Sequence, residues 1–243
     1  NVANLLLKNG ADRLAVADLD EAMELRDAGI SAEILILGAS FKEDIENLVR
    51  YDITSAVFSY DIAELLSNEA VRQGKTAKIH IKLDTGMSRI GYVVGENDEE
   101  LTEEILKISR LPNVFIEGIF SHFATSDEKD SSYTFEQFNE FLKVCNALTK
   151  KGLKIPIRHI ANSAAIMSYP ETHLDMVRAG IILYGFYPSN EVNKNIIKLK
   201  PVMTLKSRIT LIKEISDRGV SYGKTYIAPK GTKVATVPLG YAD

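Results

Sequence analysis

Apolar and polar positions along this chain follow two periods, and the period switches at regular intervals. Val2, Leu5 and Leu6 recur at helical spacing before Gly10, so residues 2–9 are expected to form a helix. A short apolar run over 13–17 predicts a strand. Asp18 or Asp20 then predicts a capped helix reaching about Ala28, with Gly29 as its stop. The pattern repeats with strands over 34–37, 55–59, 79–83, 114–121 and 157–160. Helices are expected between them over 42–51, 62–73, 99–110 and 135–150, and a short one from Asn162 to Met167. Residues 176–178 and 181–183 predict a last short strand or strand pair. Units of about 20 to 40 residues with short apolar strands imply a parallel sheet with crossover helices.

About seven such strands precede residue 185, one short of a closed (β/α)8 barrel. The expected fold class is therefore α/β: a TIM-type (β/α)8 barrel over 1–190 without its first strand. An open doubly wound sheet is the alternative, and no GxGxxG turn supports it. After Pro188 the helical period disappears. Strands are expected over 202–215 and 232–239, with Gly219, Gly223 and Gly231 at turns, as the start of a C-terminal β domain over 191–243. Neither end reads as a natural terminus, which predicts an internal segment of a longer protein.

Charge and cysteine content narrow the partners. A net charge of -4 over 243 residues, with scattered Lys and Arg, gives no general attraction to nucleic acid or an anionic membrane surface. The single cysteine, Cys145, excludes an intrachain disulfide and fits a reducing compartment such as the cytoplasm. No apolar run approaches the ~20 residues that cross a bilayer, and no signal peptide is visible.

In a barrel, residues at strand C-termini meet at one mouth. Those ends contribute Leu37 and Gly38, Lys82 through Arg89, His122, His159 through Ser163, and Arg178 through Tyr184. Taken singly, each has an ordinary structural use: a packed His, a surface Arg, a Ser at a helix cap. Their convergence is what points to a site. The set is cationic, rich in donors and poor in free carboxylates, so the ligand should be anionic. His80, His122, His159 and His173 lack the spacing or Cys partners of a zinc site, and no metal is expected. A hydroxyl and backbone amides at Ala161-Asn162-Ser163-Ala164-Ala165, with Gly180 and Ile181 beside them, suit a phosphate.

The segments AVADLDEAMELRDAGI, ILILGA, IKLDTGMSRIG, EGIFSHFATSDE, HIANSAA, DMVRAGIILYG, VSYGKTY and VPLGYAD, in this order, resemble alanine racemase, a fold-type III pyridoxal phosphate (PLP) family. The resemblance implies a barrel followed by a β domain, and interconversion of L- and D-alanine in a homodimer whose site is shared between subunits. It implies that D-alanine goes to peptidoglycan. Serine or broader racemisation is the alternative substrate reading, and a non-catalytic PLP-binding barrel the alternative of another class. By resemblance, Leu37, Asn162, Ser163, Gly180 and Ile181 bind the cofactor, with Ser163 and the last two amides on its phosphate. Arg89 meets the phenolic oxygen and the substrate carboxylate, and Lys82, carbamylated in many relatives, positions Arg89. Arg178 faces the pyridine nitrogen with His122 as its hydrogen-bonding neighbour, and Tyr241 is the base on one face. The family's second base is a lysine on the first barrel strand. No residue here matches it, so the segment alone is expected to be inactive.

Overall fold

The structure is a computed structural model that describes residues 2–240. Its contacts divide the chain into residues 1–200 and 201–243.

In the first unit, short strands and helices alternate: α1 (Val2–Lys8), β1 (Arg13–Val16), α2 (Leu19–Asp27), β2 (Glu33–Ile36), α3 (Ile45–Arg50), β3 (Thr54–Val57), α4 (Tyr60–Gln73), β4 (Ala77–Asp84), β5 (Tyr92–Val93), α5 (Asp98–Ile108), β6 (Val114–Phe120), α6 (Ser132–Lys150), β7 (Ile157–His159) and α7 (Ser163–Ser168). The boundaries follow local chemistry. Asp18 caps α2 by accepting from Glu21 N at 3.0 Å, and Ser59 caps α4 by accepting from Ile62 N at 3.3 Å. Gly74 ends α4 in the left-handed conformation.

The strands β1-β2-β3-β4-β6-β7 are hydrogen-bonded in chain order and all parallel. A doubly wound sheet would reverse its order at a switch point; a barrel wall does not. This is a wall of (β/α)8 type. The two-residue β5 pairs off the path, parallel to the end of β4.

Strand β4 shows how the wall is used. Ile79, Ile81 and Leu83 are fully buried in the hydrophobic core, together with Ile105, Ile108 and Phe141 from the helices. The alternate residues His80 and Lys82 are also buried, but they meet Glu117, Phe120 and His159 from β6 and β7. A strand buried on both faces thus separates an apolar side from a polar one. Against β6 the register slips: Ile79 pairs with Ile116 but His80 with Gly118, leaving Glu117 as the extra residue of a bulge.

Residues 176–178 and 181–183 do not form the expected strands. Asp175 N donates to Arg158 O and Arg178 N to Ala161 O, so the chain follows β7 without building a ladder. Residues Ile181–Tyr184 then turn as a 3-10 helix ending at Gly185. The buried Val192 against Ala164 and Met167, with the Tyr187 hydroxyl donating to Ile197 O, holds the following residues to this unit.

The second unit, described by itself, contains β8 (Leu211–Ile215) paired antiparallel with β11 (Thr232–Thr236), and β9 (Arg218–Val220) with β10 (Tyr226–Ala228). The strand expected over 202–215 is regular only in its last five residues. Val202, Met203 and Leu205 are at least 64% exposed and carry no ladder among the described residues. Gly223 and Gly231 occupy turns at positive φ, whereas Gly219 lies inside β9.

Candidate active site

The C-terminal ends of the strands surround a cavity of about 1040 Å³ that continues down the seam between β1 and β7. Leu37, His122, Asn162, Ser163, Arg178 and Gly180 line its mouth, and Ile181 joins them.

Arg178 is the best-held group there. Its Nη1 donates to His159 Nδ1 at 2.6 Å, and its Nη2 to Ser121 O at 2.8 Å, Ile160 O at 3.2 Å and His122 Nδ1 at 3.3 Å. The guanidinium also stands 5.4 Å over the Phe120 ring. Burial and the nearby Arg89 charge lower its pKa to about 10, so it remains a cation at neutral pH. Burial, then Arg178, Lys82 and Arg89, push His122 down to about 3, leaving it a neutral acceptor. The residue that presents His122 escaped the sequence reading. Gln137, fully buried on α6, accepts from Ala124 N at 2.9 Å and donates to His122 O at 3.2 Å.

The Thr85–Gly91 loop after β4 is shaped by Asp84, whose Oδ1 accepts from Gly86 N at 3.0 Å and Ser88 N at 2.9 Å. Gly86 and Gly91 have φ of +120° and +123°; a Cβ on Gly86 would overlap the Tyr133 hydroxyl, and one on Gly91 the backbone of Leu83 and Asp84. The loop presents Arg89 exposed, with no hydrogen bond or ion pair among the described residues. Lys82 and Arg89 are not bonded to each other. Instead Lys82 Nζ donates to Leu83 O at 2.8 Å and lies 5.1 Å over Phe120. Burial, then Arg178, lowers its pKa to about 7, with Arg89 adding to the shift.

On the far side of the mouth, Asn162 caps α7: its Oδ1 accepts from Ala164 N and Ala165 N, both at 3.1 Å, and from Ser126 Oγ at 2.9 Å. Ser163 Oγ accepts from Gly180 N at 2.9 Å, which leaves its own hydroxyl hydrogen to donate. A Cβ on Gly180 would sit 3.6 Å from that oxygen, inside the space between the two segments. Among the described residues there is no group of His, Cys, Asp and Glu that could hold a metal. Tyr241 lies outside the described residues.

Such a mouth joins buried cations and neutral imidazoles to a hydroxyl-and-amide cradle. The family model for the N-terminal domain of alanine racemase matches residues 1–188, and that for its C-terminal domain residues 202–243. The chain belongs to the alanine racemase family. The alanine racemase of Clostridium tetani is 53% identical over 244 residues, covering 100% of this chain and 62% of that protein. The solved alanine racemase of Clostridium difficile 630 is 44% identical with a TM-score of 0.86, covering 100% of this chain and 63% of its own. That of Bacillus anthracis, with bound L-Ala-P, is 39% identical with a TM-score of 0.84 and is covered over 62% of its length. The chain thus spans somewhat under two thirds of the relatives it matches.

Proposed function

We propose that the full-length protein is a PLP-dependent alanine racemase, and the observation that carries this is the four-fold anchoring of Arg178 at a mouth that also holds a phosphate cradle. The cradle suits the cofactor's phosphate: the Ser163 hydroxyl hydrogen, the Ile181 amide, the Gly180 amide that Ser163 Oγ holds until a phosphate replaces it, and the Asn162 cap are set around space that a side chain at 180 would fill. Leu37 lines the ring pocket. When bound, PLP supplies the electron sink that acidifies the substrate Cα–H.

This chain's residues supply binding, orientation and one base. Arg178 faces the ring nitrogen. Being donor-only and still protonated at neutral pH, it hydrogen-bonds that nitrogen without giving up its proton, which restrains the sink and disfavours transamination. Arg89, with no partner on its loop among the described residues, is available for the phenolic oxygen and the substrate carboxylate. Tyr241 Oη takes or returns the Cα proton on one face, acting on the barrel of the other subunit of a homodimer. The lysine that serves the other face is not among these residues. The amino acid substrate is small, and its D-alanine product enters peptidoglycan in the cytoplasm. No described helix is long and apolar enough to cross a membrane.

Lys82 is suited to carbamylation. Burial and Arg178 lower its pKa to about 7, so the free amine is accessible near neutral pH, able to add CO2 and release a proton. The product is an anion beside Arg89 and Arg178, the cations that now destabilise the ammonium. A full-length sample in 13C-bicarbonate should show a carbamate carbon signal that Lys82→Met abolishes; no difference between the two would remove this role.

Cofactor binding tests the cradle. Ser163→Ala in the full-length protein should weaken PLP binding about tenfold, the worth of one hydrogen bond to a charged group. Unchanged affinity would place the phosphate elsewhere.

A further inference from the structure

Arg178 is one end of a longer polar column that the chemistry above does not use. His159 Nε2 lies 2.8 Å from His80 Nδ1, and His80 Nε2 lies 3.1 Å from Glu117 Oε2. Glu117 in turn accepts both Arg13 nitrogens, Nη1 at 2.6 Å and Nη2 at 3.1 Å. The column crosses the wall through β7, β4, the bulge in β6 and the first residue of β1. Both histidines are fully buried, and Phe120 stacks on His159 at 4.8 Å with planes 4° apart.

One arrangement of protons satisfies every bond. Arg178 can only donate, so His159 Nδ1 must be bare and its proton sits on Nε2. That proton is donated to His80 Nδ1, which must also be bare, so the His80 proton sits on Nε2 and points at the carboxylate. An imidazolium at either ring would set N–H against N–H. The surrounding charges agree: Arg13 and Arg178 are cationic, and Glu117 is the column's only anion. Burial lowers the pKa of both rings, outweighing the Glu117 bond at His80. Burial acts to raise Glu117, but its bonds from His80 and Arg13 prevail and hold it at about 2.

We infer that Arg13, Glu117, His80 and His159 are positioning residues: a one-way hydrogen-bond relay that fixes both histidines as Nε2–H tautomers and thereby aims the Arg178 guanidinium. A column this polar in a barrel interior is costly to bury, and apolar residues of similar volume would pack at least as stably. Its return is direction: a tautomer change at His159 would turn a ring N–H against Arg178. What Arg178 then meets rests on the proposed PLP chemistry; the relay itself does not.

The test uses the full-length protein with 15N-labelled histidine and reads ring nitrogens by NMR without substrate. In wild type the assigned His80 and His159 rings should each show protonated Nε2 and bare Nδ1, as His122 also does beneath Arg178, unchanged between about pH 6 and 9. This readout needs no variant to fold. Glu117→Leu removes the acceptor that holds the His80 Nε2 proton and both Arg13 nitrogens. His80 should then populate both tautomers, and kcat should fall about tenfold with KM within about twofold. An Nδ1–H tautomer or an imidazolium at His159 in wild type would overturn the relay. So would a Glu117→Leu variant with single tautomers and unchanged kcat. If the tautomers are as derived but L-alanine is not racemised, the relay stands and the racemase assignment falls.

Discussion

Arg178→Ala in the full-length protein is expected to slow alanine racemisation by about 10²- to 10³-fold, the usual loss when a preorganised charged donor is removed from an active site. The substitution strips donors from His159, His122, Ser121 O and Ile160 O together. Arg178→Lys keeps the charge but loses the planar fork, and cannot reach an acceptor on each side at once. It should recover only a minor part of the rate. A lysine variant as fast as wild type would show that charge alone matters and that the fork's geometry does not.

The largest stability effect is expected away from the chemistry. A Cβ at position 118 would overlap the His80 ring, with Cγ the third nearest atom at 2.7 Å. That ring cannot shift aside, because Nδ1 is bonded to His159 and Nε2 to Glu117. Gly118→Ala should therefore destabilise by about 2–3 kcal/mol, the upper range for overpacking a filled core. A fall in Tm on the order of 5 °C should appear in calorimetry of the full-length protein. A neutral effect would mean that the His80 column yields easily, contrary to its role in fixing Arg178.

The alternation of apolar runs at two periods carried the barrel wall: β1 to β4, β6, β7 and each helix from α1 to α7 fall where period and caps place them, within a few residues. Only the two-residue β5 had no such signal. The pieces that went astray share a cause. Residues 176–178 and 202–210 are apolar enough for strands, but a strand exists only when a neighbour completes its ladder, and composition does not report neighbours. Among candidate site residues, those at strand ends were legible because architecture predicts where such ends meet. The relay was not. His80 and Lys82 sit at polar positions of an alternating strand, a pattern that also fits a solvent-facing side. Their burial depends on β6 and β7 supplying polar partners. One signal did exist: Gly118 inside an apolar strand, directly after Glu117, marks a bulge or a close approach, and here it is both. Gln137 had no signal, being one polar residue among the apolar positions of an amphipathic helix.

The most direct test of the racemase reading is to incubate the full-length protein with PLP and L-alanine in D2O and resolve the alanine enantiomers. The expected result is D-alanine carrying deuterium at Cα, with Tyr241→Phe abolishing most of the conversion. PLP bound at the mouth without formation of D-alanine would contradict it.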